Sequence, residues 1–161
     1  MKRSTIKNLF MFGCDLLVID PPQLIFWKEE RIGKYFPDGR LYLNDSAENL
    51  MVVFTLFHEL RHAYQIQAVE ESWEAPERCR IWDYELRNYI PGGSVGHGYQ
   101  HIEIDAHAFA SMVIIRLWGI RPVIDEVDEE DLTVRVAELL EEYSAEEVME
   151  VKSHYKIPEE I

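Results

Sequence analysis

Residues Asn49 to Gln67 read NLMVVFTLFHELRHAYQIQ, and this stretch decides the fold. From Leu50 to Phe57 nearly every residue is apolar, which predicts a helix buried on most of its sides. Asp45 can cap its start, with Glu48 three residues on as the partner in a capping box. The helix is expected to run to about Gln67. Two histidines and a glutamate follow this apolar run deep in the same helix, and buried polar groups need partners.

Upstream, Leu16 to Asp20 reads as a short buried strand ended by Pro21 and Pro22, and Leu24 to Trp27 as a second strand. Arg31–Tyr35 and Leu41–Leu43 flank the turn signal Phe36-Pro37-Asp38-Gly39, which predicts a β-hairpin. Downstream, a polar stretch with Trp73, Pro76 and Trp82 is partly helical from Ser72 to Arg87. Pro91 to Gly98 is a Gly-rich loop on composition. A second strong helix covers His101 to Leu117 and stops before Gly119. The tail carries two more, Asp131–Tyr143 and Ser144–His154, the latter with Ser144 and Glu147 as a capping box. These elements predict an α+β fold: a small N-terminal sheet with a hairpin, packed on a helical core that carries the His-Glu-x-x-His helix. One domain over residues 1–161 is expected from the length.

The 161 residues are 47% hydrophobic and 29% charged, an ordinary globular composition. No stretch is apolar enough to span a bilayer. The apolar run from Leu9 to Ile19 is interrupted by Asp15 and lacks a small-residue cleavage site, so no signal peptide is read. Two cysteines, Cys14 and Cys79, make no disulfide framework, and a reduced, cytoplasmic protein is expected. A net charge of −14 argues against a nucleic-acid partner. The acidic run Asp125, Glu126, Asp128, Glu129, Glu130 and Asp131 reads as a solvated loop and helix start.

His58-Glu59-Leu60-Arg61-His62 fits the His-Glu-x-x-His pattern. Residues four apart on a helix share a face, so His58 and His62 can offer two imidazole nitrogens to one zinc ion. Glu59 is placed to act as general base toward water activated by that ion. The competing reading is a pair of satisfied core histidines. Catalytic zinc takes a third protein ligand, and the second strong helix supplies candidates. Glu103 and His107 are four apart and face the same way, so Glu103 can bind while His107 supports the site. Asp105 is the alternative third ligand, with His101 and His107 behind it. Ala106 and Ala110 are small, as close packing of two helices around an ion requires. His97, Tyr99 and His101 lead into this helix and are candidates for hydrogen bonding to a transition state.

These residues resemble the ImmA/IrrE family of metallopeptidases, and more broadly the gluzincins. That family sets a small sheet before a His-Glu-x-x-His helix, then a helix with Glu-x-x-Ala-Asn/Asp-x-Phe-Ala. Here the first motif is His58, Glu59 and His62, and the second reads Glu103-x-x-Ala106-His107-x-Phe109-Ala110. The resemblance covers roughly Arg31 to Leu117. His107 stands where the family has Asn or Asp, and the Gly-rich loop with His97, Tyr99 and His101 is outside the family pattern. The resemblance implies one zinc per chain and a protein or peptide substrate, often a repressor in phages, mobile elements or stress responses. Two rivals stand beside it: a SprT-like protease, which the acidic tail and lack of Cys-x-x-Cys pairs disfavour, and a metal-stabilised protein-binding module.

Overall fold

Ile6, Leu9, Phe10, Gly13 and Leu17 recur at helical spacing, and in the computed structural model they form the buried face of a helix, α1, from Arg3 to Leu17. The structure describes residues 1–125 and 127–161. The strand expected over Leu16–Asp20 is therefore replaced by the last turn of α1 and its exit. Val18 closes that turn in the left-handed region at φ 54°, and the Ile19 N–H returns to the Cys14 carbonyl. A short apolar run cannot by itself distinguish a buried strand from a buried helix end.

Three strands follow: β1 (Gln23–Trp27), β2 (Gly33–Phe36) and β3 (Arg40–Asn44). β3 lies in the middle, parallel to β1 and antiparallel to β2, with Tyr35 opposite Leu41. The hairpin turns at Gly39, whose φ of 85° suits glycine. Five helices complete the order among the described residues: α2 (Asn49–Glu71), α3 (Pro76–Arg87), α4 (His101–Trp118), α5 (Glu129–Glu142) and α6 (Ala145–Lys152). This is the α+β arrangement that the hydrophobic pattern predicts. Asp128 caps α5 by accepting from the Glu130 and Asp131 N–H groups, and Ser144 caps α6 by accepting from Glu147. Of the acidic run, Glu126 lies outside the described residues.

Asp45 does not cap α2. Glu48 holds the cap position without a side-chain bond to the helix, and the Asp45 carboxylate instead accepts from the Arg3 guanidinium. α2 begins at Asn49, so Glu48 and not Asp45 stands at the position from which a side chain could cap its first N–H groups. The helix also runs past Gln67 to Glu71, because the segment stays regular until Ser72 turns left-handed.

The core lies where α2 and α4 pack side by side. Val52, Val53, Leu56, Phe57 and Leu60 from one helix meet Phe109, Ala110, Val113 and Ile114 from the other, all fully buried. Two glycines set how close other elements come to α2. A Cβ on Gly13 would lie 2.6 Å from Leu60 Cδ1, so α1 packs tightly there. One on Gly33 would lie 2.4 Å from Thr55 Cγ2 and 3.3 Å from Glu59 Cγ, which brings β2 against the polar end of α2. No helix among the described residues is long and apolar enough to cross a membrane.

Candidate metal centre

His58 and His62 project from one face of α2 toward the first turn of α4, where Glu103 is nearly fully buried. His58 Nε2 and His62 Nε2 are 3.0 Å apart. Glu103 Oε2 is 3.4 Å from His58 Nε2, and Glu103 Oε1 is 3.4 Å from His62 Nε2. Ligands on a tetrahedral zinc ion, bonded at about 2.0–2.1 Å, stand about 3.3 Å from one another. The small side chains of Ala106 and Ala110, both fully buried, let the two helices approach this closely.

The hydrogen bonds around His62 fix which nitrogen faces the site. Gln65 Nε2 donates to the Ile102 carbonyl at 2.9 Å and to Asp105 Oδ2 at 2.8 Å, and both of these only accept. Gln65 Oε1 must therefore be the oxygen that accepts from His62 Nδ1–H, at 2.8 Å. In neutral His62 the Nε2 lone pair then points at a second imidazole nitrogen and a carboxylate oxygen. These three groups hold together only with a proton or a metal ion among them. The same demand appears in the protonation of the side chains. Burial disfavours charge on His62, but Glu103 outweighs it and raises the imidazole to about 9. Burial likewise opposes charge on Glu103, yet His62 and His58 hold its carboxyl far below the usual carboxylate range. A metal ion would take the place of those protons.

His107 also faces this centre. Its ring centroid is 4.4 Å from that of His58, and ligand atoms of His58, Glu103 and His107 all lie within 4.8 Å of one another, a group that could hold a metal ion. This group and the His58, His62, Glu103 triangle share two members. Burial, with His58 next in importance, lowers His107 to about 3, so its imidazole is neutral and able to ligate. The buried Nδ1 atoms of His58 and His107 have no hydrogen-bond partner among the described residues.

Asp105 is not brought to the centre. Arg61 holds it with two bonds, at 2.7 and 3.2 Å, and Arg135 with one at 2.8 Å, in a buried network on another side of α4. It reaches His62 only through Gln65. His101 also turns away, paired at 2.9 Å with Glu85, and Tyr99 is exposed. His97 does approach, with Nε2 3.5 Å from Glu103 Oε2. Tyr89, which no motif singles out, donates its hydroxyl to Glu103 Oε1 at 2.8 Å. Glu59 accepts the Tyr35 backbone N–H at 2.6 Å on Oε2, so the closely packed β2 holds one of its oxygens.

The centre is shallow: the His58 and His62 side chains keep 12% and 14% of their surface exposed. A cleft of about 410 Å³, walled by Trp82, Ile104, Asp105 and Arg135, opens elsewhere and includes none of His58, His62, His97, Glu103 and His107. Outer partners of ligating histidines orient the ring and tune its basicity. Gln65→Met is thus expected to weaken zinc binding about 10- to 100-fold, read by competition with a chromophoric chelator. An unchanged affinity would contradict the orienting role of Gln65.

No protein-family model, curated protein or solved structure matches the chain.

Proposed function

We propose that the chain is a zinc-dependent metallopeptidase, with His58, His62 and Glu103 holding the ion and Glu59 serving as general base. The observation that carries this reading is the convergence of two imidazole Nε2 atoms and a buried carboxylate at 3.0 to 3.4 Å. Zinc held by these side chains supplies a Lewis acid that polarises a scissile carbonyl and acidifies water. Glu59 follows His58 directly in the chain. Tyr35 occupies its Oε2, which leaves Oε1 to accept a proton from water and pass it to the departing amine. The resemblance to the ImmA/IrrE family supports a peptide or protein as substrate, and the acidic net charge speaks against nucleic acid.

A second reading has its own support. If His107 ligates with His58, Glu103 and His62, the ion is closed off by protein, as in structural zinc sites, and the chain is a metal-stabilised binding module. Incubation of the zinc-loaded protein with a quenched fluorescent peptide library distinguishes the two. The peptidase reading expects cleavage that a chelator abolishes and added zinc restores. No cleavage across the library would contradict it.

A further inference from the structure

The segment from Asn88 to Gln100 folds back over Glu103 and is pinned at its base by one side chain. Gln100, which is buried, accepts the Ile90 N–H on Oε1 at 2.9 Å and donates through Nε2 to the Ile90 carbonyl at 3.0 Å. His97 sits inside this clasp, its Nδ1 2.8 Å from the same Ile90 carbonyl. A carbonyl only accepts, so Nδ1 carries the hydrogen and the Nε2 lone pair of the neutral ring is turned toward Glu103. Nε2 is 3.5 Å from Glu103 Oε2, and that oxygen is itself 3.4 Å from His58 Nε2. Two acceptors facing each other at this distance need a proton or a metal ion between them. The arrangement repeats the one at His62: the outer nitrogen is held by an oxygen and the inner nitrogen is aimed at the carboxylate.

We infer that His97 is a fourth protein ligand of the ion held by His58, His62 and Glu103, and the one that leaves when substrate binds. This rests on the proposed metal centre. The other three ligands are carried by α2 and α4, the two helices that form the core. His97 opens a 3-10 turn, His97–Tyr99, at the end of a loop in which Gly93 and Gly96 take φ values of 82° and 94° and Val95 is fully exposed. With His97 as a fourth ligand, an ion held here would be four-coordinate, and its opening to water or a peptide carbonyl would require this segment to withdraw. His107 also lies beside His58, and neither of these two has the orienting bond on Nδ1 that His62 and His97 have.

Cobalt(II) bound in place of zinc tests this, because its visible absorption reports coordination number and donor type. The full chain is titrated with cobalt alone as wild type, His97→Ala and His107→Ala. His97→Ala is expected to keep one equivalent of cobalt, bind it at least about tenfold more weakly, and change its visible spectrum. Added imidazole is expected to restore that spectrum. An unchanged spectrum and affinity in His97→Ala would overturn the inference and leave the three-ligand centre standing, as would changes confined to His107→Ala. Failure of the wild type to bind cobalt or zinc would overturn the metal centre itself. Should His97→Ala fail to fold, proton NMR of the wild-type cobalt protein decides. A hyperfine-shifted imidazole N–H with a through-space contact to Ile90 supports the ligand, and its absence overturns it.

Discussion

Glu59→Gln is expected to retain about one zinc per chain while hydrolysis of the peptides cleaved by the wild type falls at least about 100-fold. The amide is nearly the same size as the carboxylate and can still accept the Tyr35 N–H, so β2 and α2 keep their contact. What it lacks is the ability to take a proton from water. The proposed zinc ligands, His58, His62 and Glu103, are other side chains and are untouched. A variant with full activity would remove Glu59 from the chemistry, and one that loses its zinc would make Glu59 a part of the binding site instead.

Arg61→Met is expected to destabilise the fold by about 3 kcal/mol or more, measured by urea unfolding of the metal-free protein. Arg61 is fully buried inside the motif, where its guanidinium bonds Asp105 and packs 4.2 Å from the centre of the Tyr64 ring. Removing it leaves a buried carboxylate with Arg135 and Gln65 as its remaining partners. Burial pushes the Asp105 carboxyl up, but Arg61 and then Arg135 outweigh it and hold it at about 2. Because that value lies below the ordinary 3.8, the network's contribution is complete at neutral pH and fades as pH falls from 3.8 toward about 2. Its effect extends to the metal centre, since Asp105 steadies the Gln65 amide that orients His62. A change below about 1 kcal/mol would show that Arg135 alone satisfies Asp105.

How much of this was legible in the sequence varies with the range of the interaction. The hairpin and the α2 and α4 helices announce themselves locally, by turn residues, apolar runs and a glycine after the last turn. The approach of Glu103 to His58 and His62 was also legible, because helical spacing sets which side chains share a face. Leu16–Asp20 taken alone has the pattern of a short strand, and the helical period that makes it the end of α1 starts as far upstream as Ile6. The partner of Asp45, Arg3, also belongs to α1 and is 42 residues away in the chain. Asp105 looked like a ligand because its partners are distant: Arg61 is 44 residues away and Arg135 is 30 away. Tyr89 had no local signal, since its bond to Glu103 depends on how the intervening loop folds back.

The central claim is that His58, His62 and Glu103 hold a metal ion. Its most direct test is metal content by mass spectrometry on untagged protein purified without added metal, with wild type beside His58→Ala. About one zinc per chain in the wild type, lost in the variant, is the predicted result. No metal in either protein, even after zinc is supplied, or equal zinc in both, would contradict it.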